Sequence, residues 1–305
     1  MVDGDGTTIE RLELETAPGL TIVADVQGPA DGPPVLLLHG GGQTRHAWGG
    51  TAGALARAGW RTASMDMRGH GESSWAPDGS YAIEAFATDA AQVADRLGGR
   101  PVFVGASLGG IASLVAVGEG LAPTARAVVL VDVAPRISQK GVDRITDFML
   151  ARPDGFASLD EVADAVAAYN LHRPRPTDLD GLRRNVRQRD DGRWIWHWDP
   201  RFLKSHDAVD EPADRPRGDR PPVDEPRVLG YEERLRDAAR ALTVPTLLVR
   251  GARSDLLEED GAADLQELVP HARYARVDGA GHMVAGDRND AFNQAIEDFL
   301  TDLPD

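Results

Sequence analysis

The chain contains no cysteine among its 305 residues. Disulfide bonds, thiolate metal sites and a cysteine nucleophile are therefore excluded. The sequence also lacks any run of eighteen apolar residues, and residues 1–20 are acidic instead of a basic stretch followed by an apolar one. We therefore expect a cytoplasmic protein with neither a membrane span nor a secretion signal.

Positive charge is scarce, because 33 lysines and arginines stand against 49 acidic residues, for a net charge of -16. A protein of that charge is repelled by phosphate backbones and by anionic membrane surfaces. We therefore do not expect nucleic acid or a membrane as a partner. The sequence leaves open whether the protein forms a homo-oligomer. With 42% hydrophobic and 27% charged residues, the composition is that of a globular protein with a substantial core.

Short apolar runs alternate with helical patterns, which predicts an α/β fold with a mostly parallel central sheet and flanking helices. The predicted strands are Ile9–Glu15, Leu20–Gln27, Val35–His39, Arg61–Asp66, Val102–Ala106, Ala127–Val133, Thr246–Arg250 and Tyr274–Asp278. We assign residues 1–134 and 231–305 to this core and residues 135–230 to a largely helical cap insertion. Within it, residues 207–227 are rich in acids, arginines and prolines and predict a mobile loop.

The segment Gly105-Ala-Ser107-Leu-Gly109 lies between an apolar strand and a helical pattern. This spacing is typical of a sharp turn that holds a serine in strained backbone geometry, with glycines where side chains would collide with neighbouring elements. Ser107 Oγ would then project at the positive end of the following helix. The alternative is an accidental match, since the chain has 33 glycines.

A second glycine cluster, His39-Gly-Gly-Gly42, ends an early strand. Backbone N–H groups there can approach a developing negative oxygen without a side chain in the way. The N–H groups of Gly41 and Leu108 would together form an oxyanion hole. The alternative role for the cluster is tight packing in a turn.

An acid and a histidine follow two late strands, at Asp255 and His282, in the order serine, acid, histidine that this turn requires. Asp132 also comes just after a strand, and its alternative role is structural packing. By position we favour Asp255 over Asp132 as the partner of His282. His39 and His70 lie in turns, where we expect structural hydrogen bonding.

With these motifs the sequence resembles the α/β-hydrolase fold family over nearly its whole length outside the insertion. The segments Asp66–Ser73 and Leu130–Pro135 also resemble segments common in that family. The resemblance implies Ser107 as nucleophile, His282 as general base and Asp255 as acid, with the oxyanion donors named above. It implies a carboxylesterase-like serine hydrolase that cleaves an ester or lactone through an acyl-enzyme, without a cofactor or metal.

Half of the six tryptophans stand at alternating positions, Trp194, Trp196 and Trp198. Together with Gly42 they are candidates for lining the substrate pocket, and the alternative is that they form the core of the cap. Pocket lining favours a bulky apolar small molecule as substrate. Perhydrolases and carbon–carbon bond hydrolases use the same three residue types, and a ligand receptor on the same scaffold is a further alternative.

Overall fold

A computed structural model describes residues 8–170, 174–205, 229–284 and 289–304. For residues 204, 205, 229, 230 and 289 only the backbone is described. The predicted mobile loop, residues 207–227, lies outside the described residues.

The centre of the fold is an eight-stranded sheet in the order β1-β2-β4-β3-β5-β6-β9-β10. Its strands are β1 (Glu10–Ala17), β2 (Leu20–Gln27), β3 (Pro34–Leu38), β4 (Arg61–Asp66), β5 (Val102–Ala106), β6 (Ala127–Val131), β9 (Thr246–Gly251) and β10 (Arg273–Val277). β1 and β2 pair antiparallel, as do β2 and β4, and every other pair in this sheet is parallel. The predicted fold class is confirmed.

Helices cover both faces of the sheet. They are α1 (Gly49–Arg57), α2 (Ile83–Leu97), α3 (Leu108–Gly118), α4 (Gln139–Leu150), α5 (Leu159–Tyr169), α6 (Leu179–Leu182), α7 (Arg201–Ser205), α8 (Leu229–Arg240), α9 (Glu259–Leu268) and α10 (Asn289–Thr301), with a 3-10 turn at Arg45–Trp48. Apolar residues of α2, α3 and α8 pack in one hydrophobic cluster, and those of α1 and α10 in another. None of the helices in the described ranges is long and apolar enough to cross a membrane.

Strand β3 is a short apolar run whose side chains pack against the helices on both faces of the sheet. Leu36 and Leu38 belong to the cluster with α2 and α3, whereas Val35 and Leu37 belong to the cluster with α1 and α10. Successive side chains of a strand point to opposite faces, so a strand covered on both sides has to be apolar throughout. All five residues of β3 are buried accordingly.

The chain between β6 and β9 contains α4 to α7 and a small antiparallel hairpin of β7 (Val186–Gln188) and β8 (Trp194–Trp196). The sequence predicted helices in this segment and did not predict the hairpin. Phe156, Val162 and Leu182 belong to a hydrophobic cluster separate from the two clusters of the sheet. Helix α8 packs against the sheet cluster, so the predicted boundary at residue 230 falls inside a core helix.

Candidate active site

Ser107 lies at a sharp turn between β5 and α3, with φ 47° and ψ -117°. A Cβ added at Gly105 would come within 2.2 Å of the Gly109 carbonyl oxygen, and one at Gly109 within 2.4 Å of the Leu38 oxygen. Real Cβ atoms do not approach backbone that closely, so glycine is required on both sides of the serine. Left-handed φ in a serine is strained, and such strain is concentrated at functional sites.

The glycine loop after β3 is held by two buried histidines. His39 Nδ1 lies 2.8 Å from the Gly40 carbonyl oxygen, and the Gly42 N–H donates to His70 Nε2 at 3.1 Å. Burial lowers the pKa of His39 and lowers the pKa of His70 to about 3. Both imidazoles are therefore neutral and hold backbone in place, as expected for structural histidines.

This loop lies beside the serine, because a Cβ added at Gly40 would be 3.5 Å from Ser107 Cβ. Gln43 Oε1 accepts a hydrogen bond from the Gly40 N–H at 2.9 Å and fixes the loop from within. In the described part of the chain, no hydrogen-bond partner is assigned to the N–H of Gly41 or of Leu108. Two backbone donors near the serine are thus available to a bound oxygen.

His282 is paired with a buried carboxylate, that of Asp132, through a 2.7 Å contact between Nδ1 and Oδ2. Asp132 directly follows β6, is fully buried and has φ 52°. Since β6 is the neighbour of β5, this acid stands on the strand next to that of Ser107. The prediction that Asp255 pairs with His282 is wrong.

The Asp255 carboxylate has a different partner. β9 ends at Gly251, and a turn closed by the 3.0 Å bond from the Ser254 N–H to the Gly251 oxygen carries the chain outward. There the Asp255 carboxylate forms an ion pair with Arg144 of α4, and both side chains are 45% exposed. The adjacency of β5 and β6 in the sheet would have favoured Asp132 as the partner of His282, but the order of strands in a sheet cannot be read from the sequence.

Ser107 and His282 line one cavity of about 1070 Å³. Most of the lining is apolar and includes Ile145, Phe148, Met149 and Phe202. Of the predicted pocket residues, Gly42, Trp196 and Trp198 line the cavity.

Trp194 does not line the cavity, which corrects its prediction. Its ring lies under the guanidinium of Arg183, with 5.1 Å from Cζ to the ring centroid, and packs in the cluster of the insertion. Alternate residues of a strand share a face, but Trp194 is at the start of β8, two residues before Trp196, and of these two only Trp196 lines the cavity. Among the described residues, no hydrogen bond joins Ser107 to His282.

The family model of the alpha/beta hydrolase fold matches residues 33–288. This match covers most of the chain, and the chain belongs to that family.

Two relatives of the chain are named for ester hydrolysis. Esterase Rv0045c of Mycobacterium tuberculosis is 29% identical over 308 residues, covering 98% of this chain and 91% of that protein. Protein phosphatase methylesterase 1 of Bos taurus is 27% identical over 162 residues, covering 52% of this chain and only 43% of that protein.

Solved structures agree in fold. A structure of the M. tuberculosis esterase Rv0045c superposes with a TM-score of 0.73 at 26% identity, covering 97% of this chain and 92% of that one. E-2-(acetamidomethylene)succinate hydrolase superposes with a TM-score of 0.77 at 22% identity, covering 96% of this chain and all of that one. The second likeness concerns the fold alone.

Proposed function

We propose that this enzyme is a serine hydrolase that cleaves a carboxylic ester or lactone of a bulky apolar small molecule through an acyl-enzyme on Ser107. The observation that carries the proposal is the strained serine at φ 47°, which lines the same cavity as a histidine paired with a buried carboxylate. Action on ester bonds agrees with the family and with the names of the esterase and methylesterase relatives.

The bond to Asp132 determines which nitrogen of His282 acts. A carboxylate only accepts hydrogen bonds, so Nδ1 carries the proton and Nε2 keeps its lone pair. Nε2 is therefore the general base, and the carboxylate stabilises the imidazolium that forms. Hydrogen bonds of this kind are often long or poorly aligned before substrate binds, so we expect bound substrate to bring Ser107 and His282 into contact.

In the first half-reaction His282 Nε2 takes the proton of Ser107 as Oγ attacks the ester carbonyl carbon. The carbonyl oxygen becomes negative, and the N–H groups of Gly41 and Leu108 donate to it. When the tetrahedral intermediate collapses, the carbon–oxygen bond of the ester breaks and His282 gives its proton to the leaving alcohol. Water repeats the sequence on the acyl-enzyme and releases the acid.

Leu108 is a suitable donor for the oxyanion because it is the first residue of α3. The first N–H groups of a helix have no partner within it, and the helix dipole places partial positive charge there. Loss of one oxyanion donor costs about 3 to 4 kcal/mol of transition-state stabilisation in serine hydrolases. Two such donors therefore account for a large part of the expected rate enhancement.

The cavity indicates the size and polarity of the substrate. At about 1070 Å³ it is at the upper end of the range for small-molecule sites, and residues of α4 and the tryptophans Trp196 and Trp198 supply apolar walls. We assign the segment from α4 to α7 to a cap that covers the serine. A small acetate would leave most of this volume empty, so larger apolar acyl or alcohol groups should bind better.

The test is a substrate screen with purified protein and Ser107→Ala as the matched control. Aryl acetates, longer-chain aryl esters, lactones and β-diketones should be compared at equal concentration. We expect multiple turnovers on esters or lactones, with kcat/KM rising with acyl length, and no turnover by the variant. Cleavage of β-diketones alone would assign the site to carbon–carbon bond hydrolysis, and a single acylation without turnover would indicate a ligand receptor.

A further inference from the structure

Ser254 shares the carboxylate oxygen that holds His282. Its Oγ lies 2.5 Å from Asp132 Oδ2, the same atom that His282 Nδ1 contacts at 2.7 Å. The other oxygen, Oδ1, accepts the backbone N–H of Gly251 at 3.0 Å. The acid is thus held from three directions while it is fully buried.

The direction of the serine hydrogen bond is fixed by its surroundings. The N–H groups of Leu256 and Leu257 point at Ser254 Oγ, at 3.2 Å and 3.1 Å. A hydroxyl has one hydrogen and two lone pairs, and an ionised carboxylate has no hydrogen to give. The hydroxyl of Ser254 therefore donates to Asp132, and its lone pairs accept the two backbone N–H groups.

We infer that Ser254 is a positioning residue for the reaction, acting through Asp132. It fixes the carboxylate rotamer and withdraws negative charge from Oδ2, because each hydrogen bond to a charged acceptor reduces the charge available to the next donor. It thereby weakens the hold of Asp132 on the imidazolium and keeps His282 able to release its proton. This inference rests on the proposed function, since it assigns Asp132 and His282 their roles.

The loop between β9 and α9, which contains Ser254, also contacts α4. This contact supplies a control. The Leu256 oxygen accepts the Ser138 N–H at 2.8 Å at the start of α4, and Asp255 pairs with Arg144. Arg253 and Glu258 are the other charged residues between β9 and α9, and both are exposed. Asp255→Asn removes the ion pair between this loop and α4 and leaves the bonds to Asp132 in place.

The experiment measures kcat/KM for a short aryl ester against pH in Ser254→Ala, Ser254→Thr and Asp255→Asn. Without the serine donor, Asp132 should stabilise the imidazolium more strongly, so His282 should lose its proton at higher pH. We expect the acid limb of the Ser254→Ala profile to move up by about one pH unit, from the usual strength of a hydrogen bond to a charged group. The Nδ1 proton resonance of His282 should move downfield in the same variant.

The controls separate positioning from a general disturbance of the loop. Ser254→Thr keeps a hydroxyl and should restore the wild-type limb. In Asp255→Asn a negative charge is lost, which can move the limb only slightly and to lower pH. If Ser254→Ala does not fold, Ser254→Cys takes its place, because the thiol is a weak donor and should give a smaller shift in the same direction.

An acid limb and a proton resonance that stay at their wild-type positions in folded Ser254→Ala or Ser254→Cys would overturn the inference. So would equal upward shifts in Ser254→Ala and Asp255→Asn, since loop disturbance would then explain both. Failure of the proposed function is recognised separately, by activity that survives in Ser107→Ala or in Asp132→Asn.

Discussion

Asp132 and His282 are joined by a 2.7 Å contact although 150 residues separate them in the chain. The sheet brings them together, because both follow the carboxyl ends of parallel strands, at β6 and β10. Ser107 follows β5 at the same edge. Ligand sites of parallel α/β sheets lie at this edge, so three distant segments contribute to one cavity.

Exchange of each acid for its amide tests which of them serves His282. We expect Asp132→Asn to lower kcat by roughly three to four orders of magnitude, because the amide disturbs the histidine tautomer and leaves the imidazolium without a counter-charge. Asp255→Asn should change kcat by less than about threefold, since only an exposed ion pair is lost. Steady-state kinetics on variants with wild-type circular dichroism decide the matter, and the opposite ranking would return the role to Asp255.

A fluorophosphonate probe tests the nucleophile. The probe should label Ser107, because such reagents phosphonylate a serine, with loss of fluoride, only when a neighbouring base activates it. Ser107→Ala should lose labelling and esterase activity together. Ser113→Ala is a matched control on the same helix, since Ser113 is buried and donates to the Gly109 oxygen. An adduct mapped by mass spectrometry to any other serine would contradict the assignment.

The sequence predicted those features that depend on local pattern. The apolar run of β3 and the glycine spacing around Ser107 both reflect short-range constraints, namely burial on two faces and close backbone contacts. The partner of His282 was missed because it depends on which strands are neighbours. Trp194 was misassigned because alternation predicts that two residues share a face but not how much of that face lines the cavity.

The glycine requirement at the serine turn predicts that a glycine-to-alanine substitution there lowers stability much more than one at an open position. Gly109→Ala would place a Cβ 2.4 Å from a backbone oxygen, so we expect a loss of about 3 kcal/mol or more in the free energy of unfolding. At Gly49, the first residue of α1, a Cβ would meet nothing within 4 Å. Gly49→Ala should stay within about 1 kcal/mol of wild type. Urea denaturation measures both, and equal midpoints would contradict the packing argument.

Acid sensitivity should follow from the buried His70. Burial lowers its pKa from the ordinary 6.5 to about 3, so between these values the unfolded chain binds a proton that the folded chain does not. Stability should therefore fall as pH decreases from about 6.5 toward 3. His70→Gln keeps an acceptor for the Gly42 N–H and should show a shallower fall. Unfolding free energies at pH 7 and pH 4.5 test this, and identical slopes for both proteins would contradict it.

Alanine variants of the tryptophans in the insertion test which of these residues form the wall of the pocket and which form the core of the cap. Trp196 lines the cavity, and the centroid of its ring lies 5.4 Å from that of Phe148. Trp194 is half-buried and does not line the cavity. Trp196→Ala should enlarge the cavity and remove apolar contact area from a large substrate. We expect KM for a long-chain ester to rise about tenfold or more while KM for an acetate changes little, given the area of an indole ring.

Trp194→Ala is the matched control from the same strand and should lower the melting temperature without altering the ratio of the two KM values. Trp198 is 7% exposed and lines the cavity as well, so Trp198→Ala should lose stability, by about 3 to 5 kcal/mol, and selectivity together. Melting curves beside the kinetics of the two esters separate these effects. If Trp196→Ala lowers the melting temperature and leaves the ratio at its wild-type value, the cap does not select bulky apolar substrates.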